Sequence, residues 1–383
     1  MPRTAASLVT AIQLLVARDL CARQGAPPAD EFPHALPTAA AVADRGLEFH
    51  VDLLTRSTSP LSARRCGSFE TLGDVTAQLR WHNAGEAVAD LLLDGDVFGM
   101  TALTALLEAD LRRDDGTSVP LPSCVPGCTA SPSWSSLAGH AALRRLAPSE
   151  WVMRSFPLTE WIGVGQVALP PGIYRLRVAY LGRDPARFAE HRSDDARSRL
   201  LASAWHGRAW SSELRFRITG PQGLSEWSAA RDGLRAAVQV RPLEHRLFND
   251  EMAHPRVLVE NVSKEPIRWF RPIAASQEDR VTVRSDDADV QHGSMWASGY
   301  YETFEWTLAP GRRVWIEVAP VRFTGEGWQA GNSSGNAAPL LGRIEVDYHL
   351  TMTDCWLPPG APRPYRNELA VPTFALELLS RAK

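Results

Sequence analysis

Five short segments recur in one order along this chain, and that recurrence limits the possible folds more than composition does. "VTAQLRWHNAGEAV" from Val75 and "PRVLVENVSKEPI" from Pro255 both alternate apolar and polar residues, reach an Asn, turn through small polar residues, and resume on Val88 or Ile267. The two asparagines, Asn83 and Asn261, are 261 − 83 = 178 positions apart. "GLEFHV" from Gly46 matches "GLRAAV" from Gly233. The Leu-Ala-Pro of "RLAPSEWVMRSFPL" matches that of "TLAPGRRVWIEVAPV", with Leu146 and Leu308 offset by 308 − 146 = 162. "YRLRVAY" matches "GRIEVDY", with Tyr180 and Tyr348 offset by 348 − 180 = 168. "SELRFRI" and "PTFALEL" are alternating segments that end each half. An ordered set at similar offsets reads as an internal duplication with drift in loop length.

Each recurring segment also reads as a strand. In "YRLRVAY", Tyr174, Leu176, Val178 and Tyr180 fall on one face, and Arg175, Arg177 and Ala179 on the other. That period of two marks a half-buried strand. "LPPG" before Ile173 and "LAPG" before Arg312 are turn signals between strands. Asp115-Gly116 is a tight-hairpin signature. Many short strands with Gly/Pro turns favour a sandwich over a parallel α/β sheet. The expected architecture is all-β, with two tandem β-sandwich domains over 41–220 and 221–383. An N-terminal helix or signal-like segment over 1–24 and a Pro-rich linker over 25–40 precede them. A second helix candidate is "DPARFAEHRSDDARSRLLASAW", from Asp184 to Trp205.

At 383 residues the chain has room for two or three domains. Hydrophobic and charged contents of 44% and 22% belong to a globular protein rather than a disordered one. A net charge of −3 gives no nucleic-acid footprint. The apolar run from Ala5 to Ala17, behind Arg3, has the length of a signal-peptide core and is too short for a membrane span. Gln13 interrupts it, and Arg18 and Asp19 follow at once, so an amphipathic helix with Leu8, Ile12, Leu15 and Val16 on one face is the alternative. No other stretch has the ~18 apolar residues of a transmembrane helix. An extracytoplasmic location is expected on the first reading and a cytoplasmic one on the second.

The ordered pattern GLxxxV, LxxxN, LAPG, GxYxLxVxY and WxGxxxSxxLxFxI resembles bacterial extracytoplasmic immunoglobulin-like β-sandwich domains. It also resembles, more distantly, the bacterial proteinase-inhibitor-type sandwich, which has a similar Asn-turn and "PG" strand. In the first copy the pattern closes with "LPPGIYRLRVAY" and "WHGRAWSSELRFRI". The second copy lacks the Trp-x-Gly segment and carries "CWLPPGAPRPYRNEL" instead. The resemblance extends from about Gly46 onward and implies adhesion, assembly or inhibitory roles. It transfers no catalytic residue and implies no cofactor.

Candidate sites are few. Of five Cys, Cys124 and Cys128 flank Pro126-Gly127 in "CVPGC", turn chemistry that brings them close. They read as a disulfide-braced loop in an oxidising compartment, as half of a zinc site whose second half is missing, or as two free surface thiols. "GNSSG" formally matches the hydrolase nucleophile pattern at Ser333, but no helix follows it, so a loop tip is the simpler reading. Asp286, Asp287 and Asp289 could offer oxygens to a cation but lack EF-hand spacing, and a solvated turn explains them. His82 and His349 read as strand residues. "SMWASGYYETFEW" gathers Trp296, Tyr300, Tyr301, Phe304 and Trp306, and Trp356 lies in a Pro-rich loop. Trp296, Tyr300, Tyr301, Trp306 and Trp356 are the candidate binding aromatics. The alternative is core, because Tyr300, Glu302, Phe304 and Trp306 share one face of an alternating strand. The expectation is a non-enzymatic binding or scaffolding protein with another protein or an envelope polymer as partner. It has no nucleic-acid partner and no transmembrane segment. The alternatives are a loop-inserting inhibitor and an unrecognised hydrolase.

Overall fold

The computed structural model describes residues 36–37, 45–55, 67–93, 106–126, 142–161, 163–182, 204–240, 246–248, 251–272, 280–285, 288–294, 303–318, 320–324, 327–330, 333–336, 342–351 and 368–379. The chain is all-β. Among the described residues its helical pieces are two 3₁₀ turns, Leu72–Asp74 and Leu158–Glu160. Both expected helices, over 1–24 and from Asp184 to Trp205, lie outside the described residues except for the last two positions, Ala204 and Trp205.

The first set of strands is β1 (Leu36–Pro37), β2 (Leu47–Thr55), β3 (Ser68–Phe69), β4 (Val75–Asn83), β5 (Ala89–Leu93), β6 (Leu107–Arg113), β7 (Ser123–Pro126), β8 (Ala142–Leu146), β9 (Trp151–Pro157), β10 (Gly172–Leu181), β11 (Arg208–Trp210) and β12 (Leu214–Ile218). The second set opens with β13 (Leu234–Gln239), β14 (Arg246–Phe248), β15 (Met252–Ala253), β16 (Arg256–Asn261), β17 (Ile267–Pro272), β18 (Arg280–Ser285) and β19 (Ala288–Ser294). It continues with β20 (Thr303–Leu308), β21 (Arg313–Glu317), β22 (Val321–Thr324), β23 (Gly327–Ala330), β24 (Ser333–Asn336), β25 (Gly342–Thr351), β26 (Glu368–Ala370) and β27 (Phe374–Leu379).

Pairing follows one order in both sets. The sheet β2-β4-β9 corresponds to β13-β16-β21, and the hairpin β5-β8 to β17-β20. The long strand β10 lies between β6 and β12, and β25 lies between β18 and β27. In each set a short strand then joins in parallel, β3 on β12 and β14 on β27. The four-stranded sheet β15-β22-β23-β24 belongs to the second set alone.

The alternation read from "YRLRVAY" holds: Tyr174, Leu176, Val178 and Tyr180 are buried in the first core. There Phe49, Trp81, Tyr180 and Trp205 pack ring against ring, and the Tyr180 hydroxyl donates to the Leu92 carbonyl at 2.8 Å. A second core collects Trp269, Trp306, Trp328, Tyr348 and Phe374 with the aliphatic residues of β13, β16 and β21.

The recurring Asn holds the same turn twice. Asn83 Nδ2 donates to the carbonyls of Ala87 (2.8 Å) and Leu146 (3.0 Å), and its Oδ1 accepts from Gly85 N (3.1 Å). Asn261 Nδ2 donates to Glu265 (2.8 Å) and Leu308 (2.8 Å), and its Oδ1 accepts from Ser263 N (2.9 Å). The recurring Gly has an equal cause. Gly46 and Gly233 have φ of 77° and 84°. A Cβ there would stand 2.9 Å from Gly85 Cα or 2.8 Å from Ser263 Cβ, so a side chain is excluded both by conformation and by space.

The two sets meet. β7 adds to β20, so a strand from the first half extends a sheet of the second. Val167 bridges Val314, and the Trp315 amide donates to the Gln166 carbonyl at 2.8 Å. Arg256 is buried at this junction. Its guanidinium reaches Thr71 Oγ1 at 2.7 Å and Glu317 at 2.8 Å and lies 4.6 Å from the Trp315 ring centre.

Candidate functional site

The outward faces of the two corresponding three-stranded sheets differ along one row. In the first, one row across the strands is Glu48, His82 and Trp151, and the next is His50, Arg80 and Met153. The matching rows in the second are Arg235, Glu260, Arg313 and then Ala237, Leu258, Trp315.

In the second sheet the row Ala237, Leu258, Trp315 is covered. Ala237, Leu258 and Trp315 are 0%, 3% and 2% exposed, although none of them belongs to the second core. Thr71 and Gln166 of the first set contact Arg256 and Trp315 there. In the other row the Arg235 and Arg313 guanidinium groups lie 4.6 and 5.2 Å from the Trp227 ring centre and Glu260 accepts from both arginines, while Arg313 stays exposed.

In the first sheet the face is open: Trp151 is 48% and Met153 53% exposed. His82 stacks on Trp151 with ring centres 4.1 Å apart and planes 11° apart. The His82 ring hydrogen-bonds Glu48 Oε2 through Nδ1 at 2.9 Å, and His50 Nε2 is 3.6 Å from the same oxygen. These contacts, His82 first, hold the Glu48 carboxyl below its ordinary range. Arg80 pairs with Asp52 at 2.7 Å. The result is a rigid indole, braced by an imidazole and set beside a thioether. Such a surface suits a partner's apolar side chains, with a polar rim to orient it.

β9 is also an edge. Asn83 N donates to Glu150 O, so the residues of β9 bonded to β4 are Val152, Arg154 and Phe156. Trp151, Met153 and Ser155 therefore turn their backbone groups outward. Met153 O accepts from Arg154 Nη1 at 3.0 Å. At the matching edge of β21, the Trp315 amide is bonded to Gln166.

A groove of ≈ 400 Å³ opens at the end of this sheet beside the Asn83 turn, walled by Arg45, Glu86, Val88, Asp90, Trp205 and His206. Its charges are largely tied up: Arg145 takes both oxygens of Asp90, and Arg45 donates to the His206 carbonyl.

Of the aromatics expected from sequence, Trp306 lies among the described residues. Trp306 is 5% exposed, within the second core, as the alternation of its strand implied. Trp296, Tyr300, Tyr301 and Trp356 lie outside the described residues, as do Asp286, Asp287 and Cys128. Cys124 stands in β7 opposite Trp306 of β20. Ser333, expected at a loop tip, begins β24 and pairs with Ala330 of β23. The hairpin satisfies backbone groups that a Gly/Ser-rich stretch would otherwise leave to water. Among the described residues no helix is long and apolar enough to cross a membrane, and no three His, Cys, Asp or Glu side chains converge as a metal site.

No protein-family model matches the chain, and no curated protein matches it.

Proposed function

We propose that this chain is a non-enzymatic binding or scaffolding protein. In this reading it consists of two tandem immunoglobulin-like β-sandwich domains descended from one duplicated unit, and the open face of β2-β4-β9 engages another protein. The matched hydrogen bonds of Asn83 and Asn261, and the matched parallel strands β3 and β14, support the duplication. One observation carries the binding role. The row that the second domain buries against the first, ending in Trp315, is matched in the first domain by a row ending in Met153, which is exposed beside Trp151. A repeated unit thus has one row of this face occupied once and open once. An extracytoplasmic location belongs to the same reading, on the resemblance to envelope domains.

The test is capture of partners from the native host by the full chain and by Trp151→Ala. Trp151 is half exposed, so its loss leaves the fold intact. The reading expects a partner that binds the wild type and not the variant. A partner held equally by both would contradict it.

A further inference from the structure

We propose that the β9 edge pairs antiparallel with the β9 edge of a second copy of this chain, giving a continuous six-stranded sheet across a twofold axis at Met153. The inference rests on reading this face as a binding surface, and it names the partner for the edge.

Four observations lead to it. Among the described residues, the outward amides of Trp151, Met153 and Ser155 have no bonding partner, so the edge carries free donors and acceptors at alternate positions. Such an edge is a template for another strand. About a twofold axis at Met153, Met153 faces its own copy and Trp151 faces Ser155 of the other chain. Each facing pair can then exchange both of its N–H···O=C bonds. The bond from Arg154 leaves Met153 O with a second lone pair to accept.

The side chains also permit self-pairing. In an isologous contact every residue near the axis meets itself or its neighbour, so a charge there would be repelled. Trp151, Met153 and Ser155 are all neutral, and the first two are large and exposed. Soluble proteins ordinarily protect an open edge with Lys or Pro facing outward; β9 has neither at these three positions, and its outward Pro157 stands at the end of the strand, beyond the three positions that pair across the axis.

The alternative self-contact is already taken. The equivalent edge, β21, is closed by Gln166 and Val167 of the same chain. A second copy therefore cannot repeat the internal head-to-tail contact, because the surface that would make it is occupied. With one equivalent edge closed and one open, pairing through β9 stops at two copies and builds no fibre.

Sedimentation equilibrium of the full chain tests this with charge exchange at the axis. The wild type should be a dimer. Met153→Lys and Met153→Glu should each weaken self-association at least ~30-fold, since like charges then face each other. An equimolar mixture of the two variants should recover the dimer as a Lys–Glu pair. Unchanged urea midpoints for both variants serve as the folding control, as expected for an exposed site. A wild type that stays monomeric at about 100 µM, a dimer indifferent to both variants, or singles that dissociate and do not recover on mixing would each overturn the pairing. A monomeric wild type that still loses its partner on Trp151→Ala would overturn the self-pairing alone and leave the binding face standing.

Discussion

Truncating either turn asparagine should destabilise the chain by a similar and large amount. Asn83 and Asn261 are 2% and 0% exposed, and each side chain makes two donor bonds and one acceptor bond to backbone. Asn83→Ala removes the buried bond to the Leu146 carbonyl, and Asn261→Ala removes the one to Leu308. Each of the three lost bonds is worth ~0.5–1.5 kcal/mol, the buried one at the upper end. Each variant should thus lose about 2–4 kcal/mol. Urea unfolding followed by Trp fluorescence would read this as a midpoint lowered by about 1–2 M, for a slope near 2 kcal/mol/M. Asn83→Asp should be no better, because a carboxylate cannot donate to the two carbonyls and repels them. A loss within about 0.5 kcal/mol, the range of ordinary surface changes, would refute the argument. So would a large loss at one site and none at the other.

Other outcomes follow from the same contacts. Gly233→Ala, forced to hold a left-handed φ with its Cβ against Ser263, should cost about 1–3 kcal/mol in urea titration, and a stabilised variant would contradict this. Arg256→Ala leaves Glu317 and Thr71 without their shared cation, so calorimetry should show the two halves melting apart; a single undivided transition would count against the junction. Asp114 is held at about 2, first by its hydrogen bond from Arg215 and then by Arg175. Because this folded value lies below the unfolded one, the stabilisation is full above about pH 4 and disappears as pH falls toward 2. Screening at a carboxyl one-third exposed limits it to about 1 kcal/mol, and Asp114→Asn should flatten that part of the pH profile.

Much of the fold was legible because its cause is local. Tyr174 to Tyr180 alternate, and a two-residue period puts them in the core whatever they pack against. Asp115-Gly116 makes the expected hairpin, with Gly116 at φ 88° and the Thr117 amide bonded to Asp115. Asn83 and Asn261 recur because each ties together a turn of a few residues and one neighbouring strand. The open face was not legible. "EWVMRSF" has apolar residues on both sides of its alternation, so sequence alone does not say whether Trp151 and Met153 or Val152 and Phe156 face inward. Pairing with β4 decides it, and Val152 and Phe156 are the buried pair. Comparison with the matching "RVWIE" shows the reversal only once Trp315 is known to be covered by the first half. The addition of β7 to β20 joins segments far apart in the chain and has no local signature. Trp306, conspicuous in an aromatic run, is a core residue: it and Leu308 are buried, with Thr307 between them less so.

The most direct test of the whole account is amide hydrogen exchange at Met153 and Trp315, the two matching edge positions, in dilute full-length protein. The account predicts slow exchange at Trp315, whose amide is bonded to Gln166, and fast exchange at Met153, slowing as concentration rises and β9 is covered. Equal protection of both amides at every dilution would contradict the claim that one docking edge is closed and its counterpart open.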